Sequence, residues 1–488
     1  MKKPHHKKPL SNANKSPHQN IALSIFSLAL EPHIVVTCRK LVWFDCFSWR
    51  LFLARLWLGF WFGFGFCAWI YGFVWLAPLF ETTQGMLAQI CATFVMSVLL
   101  LLALSVWLLI PKALKGYFGF FAGLFLFYWV GLSFRYSAFP FLIPFVWLGV
   151  GFVYAILFYL ALFFTARIYR ILSLLVLGVI APFGFDWFVP QAFFAYSIFG
   201  VTVWQFLALL CGIALLLPSS NTSKQRIVFG VVMLCVGIDF GTKYAPPDPF
   251  LEDQIALVQS NIPQDLKWQE NTLQYTIESV FDTIDSAIAH SKQMIIFPET
   301  ILPFILNSEN PLEQSVQQKL LTLSKDIVIV LGAFSEQNLA FHNSTYIFAN
   351  AKMQILNKVI LAPFGERIPL PDFLAKPLYK VFFGLEEGLA SANVPQNFTA
   401  LGRLWRNAIC YEGTSRKLYT GAPPYLVMIS NNGWFHPSIE PYLQRVLLKY
   451  YARLYGTTIL HAVNRSDSGI IAPLLFGDKI EGFMLATH

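Results

Sequence analysis

Between Leu51 and Phe240 one apolar run follows another, and from 51 to 217 the only acidic residues are Glu81 and Asp186. A soluble fold cannot use so much uncharged chain, but a bilayer can. A helix needs about 20 predominantly apolar residues to cross the hydrocarbon core. The runs read as spans near 51–80, 86–110, 116–134, 141–165, 171–189, 196–217 and 227–241, the last being the shortest. The whole chain is 13% charged, against about 25% in ordinary soluble domains.

Basic residues precede the first span (Arg50, with Arg55 just inside it) and occupy the second, fourth and sixth loops as Lys112 and Lys115, Arg167 and Arg170, and Lys224 and Arg226. The alternate loops hold Glu81, Arg135 and Asp186, with Arg135 the one break in the pattern. Cytoplasmic loops carry the excess of Lys and Arg. The expected arrangement is a cytoplasmic N-terminus and, after seven crossings, everything past residue 242 on the opposite side. These flanks also account for the formal charge of +8, so no nucleic acid partner is called for. Residues 1–50 read as a basic cytoplasmic tail with a short apolar segment, 21–36, that Glu31 and Pro32 interrupt.

The bundle is expected over 51–241 and a Pro-rich linker over 242–253, where Pro246, Pro247 and Pro249 cluster. From 254 to 488 the charge density becomes that of a soluble protein. Strand-like runs at 255–258, 294–297, 327–331, 408–410 and 425–430 alternate with helical periodicity at 270–291, 312–324 and 441–455. Residues 346–348 face 352–356 as a hairpin. Such alternation predicts an α/β layered domain.

Three passages put a reactive side chain at the end of an apolar strand, where α/β folds tend to place their chemistry. In Ile295-Ile-Phe-Pro-Glu299-Thr300, Pro298 cannot donate to a sheet ladder, so the chain leaves the sheet there. Glu299 reads either as a general base or as part of a surface turn. Lys358 and Glu366 flank an apolar stretch. The lysine reads as an oxyanion or thiolate stabiliser, or both read as ordinary surface charges. In Ala408-Ile-Cys410-Tyr411-Glu412 the cysteine is a nucleophile at a strand-to-helix elbow or a buried filler. Of seven cysteines only Cys410 lies beyond residue 250, so the C-terminal half can form no internal disulfide and shows no zinc spacing. No metal or organic cofactor is indicated.

Taken together and in order, Glu299, Lys358 and Cys410 resemble the Glu-Lys-Cys triad of the nitrilase superfamily. The surrounding motifs are similar to its membrane branch, the apolipoprotein N-acyltransferases. They are the segment from Val258 to Lys267-Trp268, Phe-Pro-Glu299-Thr, Asn-Lys358 with Pro-Phe-Gly-Glu366, Cys410-Tyr411-Glu412, and Ser430-Asn-Asn-Gly-Trp434-Phe435, spread over about 254–480. The resemblance implies a polytopic membrane bundle followed by an αββα sandwich in the bacterial inner membrane, with the sandwich on the periplasmic side. It implies that Cys410 takes an acyl chain from a phospholipid as a thioester and passes it to the α-amine of a diacylglyceryl apolipoprotein. Glu299 would be the base, and Lys358 with backbone N–H groups the oxyanion partner. Glu366, Glu412 and Tyr411 would support the triad, and Trp268, Trp434 and Phe435 would shape a substrate site or lid. A monomer is expected.

The family commonly returns to the membrane after the catalytic domain, and the sequence to His488 shows neither that span nor an obvious last strand. Residues 464–469 differ from the family's wording and are assigned no role. A membrane-tethered amidase, or an inactive homologue, would share many of these features. A transporter is disfavoured, because the spans hold almost no ionisable residues.

Overall fold

The computed structural model describes residues 49–81, 85–219, 223–241, 248–383 and 388–486. The basic tail to residue 48, with the 21–36 stretch, and the first half of the Pro-rich linker lie outside them. The described first half holds α1 (Trp49–Leu76), α2 (Met86–Leu109), α3 (Lys115–Phe127), α4 (Ile143–Ala161), α5 (Arg167–Leu177), α6 (Val203–Leu216) and α7 (Lys224–Val236). With their 3-10 extensions, Trp49–Phe80, Met86–Leu109, Lys112–Tyr136 and Pro140–Ala161 are long and apolar enough to cross a membrane. Glycines let the first of these close up. A Cβ on Gly63 would lie 2.8 Å from that of Phe121, and one on Gly119 would lie 2.5 Å from the Tyr154 carbonyl. Small residues spaced by four serve the same purpose in many membrane helix pairs.

The later spans differ from expectation. The run read as 171–189 is helical only to Leu177, and the run read as 196–217 becomes helical at Val203. Residues 178–202 form turns and 3-10 segments, because Pro182 and Pro190 lack the N–H that a helix interior needs. Their apolarity reflects burial in protein: Trp187, Phe193, Phe194 and Tyr196 are almost fully enclosed. Helices α5, α6 and α7 have 11, 14 and 13 residues. They are therefore only about 17–21 Å long.

Beyond the linker come α8 (Pro249–Gln254), β1 (Ile255–Ser260), α9 (Glu270–Ala289), β2 (Met294–Ile296), β3 (Leu302–Ile305), α10 (Pro311–Leu323), β4 (Val328–Gln337), β5 (Ala340–Ala349) and β6 (Lys352–Asn357). Then follow α11 (Asp372–Phe383), β7 (Asn397–Ala400), β8 (Arg403–Ile409), β9 (Tyr425–Asn431), α12 (Glu440–Tyr455), β10 (Thr458–Asn464), β11 (Gly469–Ile471) and β12 (Phe483–Met484). The strands run in the order β6-β5-β4-β2-β1-β10-β9-β8-β7. Parallel pairing fills the middle, with antiparallel hairpins at both ends. The short β12 pairs with β1, which supplies a late strand that the sequence did not reveal.

Alternation of side chains across this sheet builds the layers. Leu257, Ile296 and Val330 from one half meet Trp405, Val427 and Leu460 from the other in a shared inner core. Ala256, Ile295 and Leu331 face outward onto α9 and α10. On the opposite outer face Ala408, Leu426 and Met428 join a core that includes α12 and continues into the membrane bundle. This is the α/β nitrilase-like sandwich that the resemblance implied, with one helical layer seated on the bundle.

The seam is polar at its centre. Helix α12 carries Arg445, Lys449 and Arg453 four residues apart, hence on one face. Arg445 Nε donates to the Tyr196 hydroxyl, and Lys449 pairs with Asp478 at 2.5 Å. Arg453 donates to the carbonyls of Phe194, Ala195 and Phe199 and pairs with Asp239. Removing one partner of a buried pair strands the other charge, at a cost of about 3–5 kcal/mol. Asp478→Ala should therefore lower the unfolding temperature of the detergent-solubilised protein sharply. A shift worth under ~1 kcal/mol would contradict this account of the seam.

Candidate active site

The strands deliver their reactive residues to one end of the sandwich. Glu299 follows β2, Lys358 follows β6 and Cys410 follows β8. Gly332 on β4 lets the Glu299 turn press close, since a Cβ there would lie 2.4 Å from the Thr300 nitrogen. Thr300 itself is left-handed, with φ +45°. Lys267 steadies that turn, donating to the Glu299 carbonyl at 3.2 Å and to the Thr300 hydroxyl at 2.9 Å. Burial brings the Lys267 ammonium down to a pKa of about 8, against the pull of Glu299 and Cys410.

Lys358 lies between two carboxylates. Its Nζ is 3.5 Å from Glu299 Oε1 and 2.8 Å from Glu366 Oε2. Asn343 Nδ2 bridges the same carboxylates, at 2.7 Å from Glu299 and 2.8 Å from Glu366. Burial works against the Lys358 charge, but Glu366 and then Glu299 outweigh it, so its pKa lies above the ordinary lysine value. Glu366 is fixed in turn by the Ala362 N–H at 2.8 Å.

Cys410 begins a 3-10 turn with φ +53°, a left-handed conformation that costs a β-carbon residue roughly 1–2 kcal/mol. Glu412 holds this elbow. One of its oxygens accepts the Ile409 N–H at 2.8 Å, and the other accepts those of Val359 and Ile360 at 2.7 and 3.0 Å. The carboxylate thus ties the cysteine elbow to the two residues after Lys358. Burial raises the Glu412 pKa to about 7, opposed by Lys358 and by these three N–H groups. Burial also pushes the Cys410 thiol up, and Glu299 adds to the rise while Lys358 opposes it. The resting group is a thiol that needs a base.

Tyr411 points away from this cluster. Its hydroxyl donates to Asp186 Oδ1 at 2.6 Å, and its ring stacks near Trp187. Trp187 Nε1 donates to the Thr414 hydroxyl. The residues just after the cysteine are therefore bonded directly to the 178–202 membrane segment. The aromatic candidates do not form one group: Trp268 stacks on Phe334, Trp434 meets Tyr136 edge-on, and Phe435 meets Trp129 edge-on. Phe435 belongs to the packed seam, whereas Trp268 stays half exposed.

Sequence reasoning missed several residues of the site. Asn343 gave no signal, since it lies mid-strand in β5. Lys267 lay inside the Val258–Trp268 segment but was not singled out. Glu440, at the start of α12, is buried with one oxygen unpartnered, and its carboxyl is pushed up by burial and by Glu299. Asn464, in the passage given no role, accepts from the Ser260 hydroxyl and the Ile262 N–H and donates to Asn431. No cluster of metal-ligating side chains occurs among the described residues.

Fold and site together define a membrane-embedded enzyme with a Glu-Lys-Cys cluster at the seam between bundle and sandwich. Residues 52–240 match the family model described as the apolipoprotein N-acyltransferase integral membrane domain. The apolipoprotein N-acyltransferase of Wolinella succinogenes is 42% identical over 381 residues, covering 77% of this chain and 89% of that one. The Helicobacter pylori enzyme of the same name is 42% identical over 385 residues, covering 78% and 88%. Among solved structures, a nitrilase-superfamily amidase from Nesterenkonia AN1 is 13% identical over 46% of this chain and 86% of that one, with a TM-score of 0.34. The chain belongs to the apolipoprotein N-acyltransferase family.

Glu412 generates a specific expectation. Both of its oxygens face backbone N–H groups, so an amide in its place must turn an NH₂ toward a donor. An unsatisfied buried donor costs about 1–3 kcal/mol. Glu412→Gln should lose stability in that range and slow catalysis more than it weakens substrate binding. Native stability and native kcat in the Glu412→Gln protein would contradict the clamp.

Proposed function

We propose that this protein moves a fatty acyl chain from a phospholipid, through a thioester on Cys410, to the α-amino group of a diacylglyceryl-cysteine at an apolipoprotein N-terminus. The observation that carries this reading is the bonding of the cysteine elbow to the membrane segment, through Tyr411 to Asp186 and through Thr414 to Trp187. A thiol placed there can meet an ester whose chains stay in the bilayer. Drawing such chains into water would cost roughly 0.8 kcal/mol for each CH₂ exposed.

In the first half-reaction Glu299 takes the Sγ proton as sulfur attacks the ester carbonyl. Lys358 stabilises the oxyanion, and Glu366 keeps the lysine partnered while Glu299 holds the proton. The ester C–O bond breaks, and Glu299 protonates the departing lysophospholipid oxygen. In the second half-reaction the acceptor amine attacks the thioester. Glu299 accepts an amine proton, the C–S bond breaks, and the proton returns to the sulfur as the amide is completed.

The loop charges support an inner-membrane topology with the sandwich on the periplasmic side. Asp186 and Arg135 both bond to the sandwich, Arg135 through the His436 carbonyl. That contact gives the single exception to the charge pattern a partner on the sandwich side. At the other end Arg167 and Arg226 both donate to the Ala214 carbonyl, and Arg170 donates to the carbonyls of Leu108 and Ile110. Clustered arginines of this kind mark the cytoplasmic face.

Two measurements check the reading. Full-length protein given a phospholipid with a labelled acyl chain and a diacylated lipopeptide should form labelled amide. Lys358→Met should slow this by about 10²–10³-fold. Release of the label only as free fatty acid would make water the acceptor and overturn the transferase reading. In intact cells an impermeant maleimide should label Lys325→Cys above the native background, and Lys224→Cys only after permeabilisation. The reverse pattern would overturn the topology.

A further inference from the structure

A cavity of about 310 Å³ lies at the seam beside the first turns of α12, and neither the triad nor its supporting residues line it. Its walls include His436, Gln444, Arg445, His461, Arg465 and Asp467. Its two guanidinium groups have no carboxylate within ion-pair distance among the described residues. Arg465 donates to Asn261 Oδ1 at 2.8 Å and to His436 Nδ1 at 3.1 Å, both neutral acceptors. Arg445 donates to the Tyr196 hydroxyl, and its Nη2 is buried without a partner. Of the acids that act on Arg445, Asp478 is committed to Lys449, and Glu81 lies beyond ion-pair distance. Gln444 is 1% exposed, and its Nε2 is likewise unpartnered. Asp467 is exposed to solvent, which screens it. Burial keeps His461 neutral, with a pKa of about 3.

Buried N–H groups and cations without partners are costly. An anion with several oxygens would satisfy them together, and arginine suits phosphate because its planar fork can bond two oxygens at once. The position indicates where such an anion comes from. The His436 carbonyl at the cavity's edge accepts from Arg135, and Arg445 rests on Tyr196, so the walls are built on the sandwich-side ends of the membrane segments. That is the level at which lipid phosphates lie. We propose that this cavity binds the phosphate group of a membrane phospholipid, with Arg445, Arg465 and Gln444 as its donors. The proposal deepens the acyltransferase reading by giving a lipid phosphate a place one helical turn from Glu440, although the binding claim does not require turnover.

The test uses full-length protein carrying Cys410→Ser, so that no acyl transfer intervenes. Binding of dihexanoyl phosphatidylglycerol, dihexanoylglycerol and inorganic phosphate would be compared by native mass spectrometry and thermal shift. The phospholipid should bind, and Arg465→Gln and Arg445→Gln should each weaken it at least tenfold. Dihexanoylglycerol should bind weakly and be indifferent to both substitutions. Arg465 is partly exposed, so its variant remains informative if Arg445→Gln fails to fold. Phospholipid affinity unchanged in a folded Arg465→Gln protein would overturn the proposal, as would binding of inorganic phosphate alone without the lipid. Arginine-dependent lipid binding in a protein whose Cys410 form transfers no acyl group would uphold this site while overturning the proposed function.

Discussion

Three cations at intervals of four on α12, Lys449 and Arg453 buried and Arg445 half-buried, hold the two halves of this molecule in register. Arg445, Lys449 and Arg453 reach Tyr196, Asp478 and the carbonyls of residues 194–199. Lys449 and Asp478 both belong to the sandwich, and Asp478 links them across the seam by accepting from the Tyr196 hydroxyl, so neither this link nor those of the two arginines tolerates an arbitrary rotation of the sandwich over the bundle. Desolvated charges demand partners in set positions, whereas apolar packing alone would permit sliding. The opposite end of the same helix presents Glu440 to the field of Cys410 and Glu299. Docking and chemistry are therefore set by one rigid element.

The site follows from that placement. A thiol raised by burial needs a base nearby, and Lys358 must remain charged in a dry pocket. Pairing the lysine with two carboxylates meets both needs, because one can take a proton while the other stays ionised. Asn343 keeps the two acids at fixed separation. Glu412 acts through the backbone, fastening three N–H groups that join the strained elbow to the lysine segment.

Much of this was legible in the sequence where local pattern and structure share a cause. Parallel strands buried on both faces leave short apolar runs, so β1, β2, β4, β8 and β9 were each anticipated, and Glu299, Lys358 and Cys410 stood out at strand ends. Residues 178–189 and 196–202 were misread as membrane helix because hydropathy reports removal from water and does not distinguish lipid from protein interior. Pro182, inside the first of these runs, was the available warning. Asn343 and Glu440 were invisible for another reason, since their roles depend on strands and helices far apart in the chain. The cation spacing on α12 was present in the sequence, but a ladder of Arg, Lys and Arg ordinarily marks a solvated face.

In the proposed reaction Cys410 carries the acyl group between two substrates that never leave the membrane. The direct measurement is intact mass of the protein after mixing with phospholipid alone, without an acceptor amine, against a Cys410→Ala control. The mass should rise by one acyl chain, labile to hydroxylamine, with one equivalent of lysophospholipid released and no change in the control. Folded protein that gains no acyl mass, or gains it equally without Cys410, would contradict the proposed reaction.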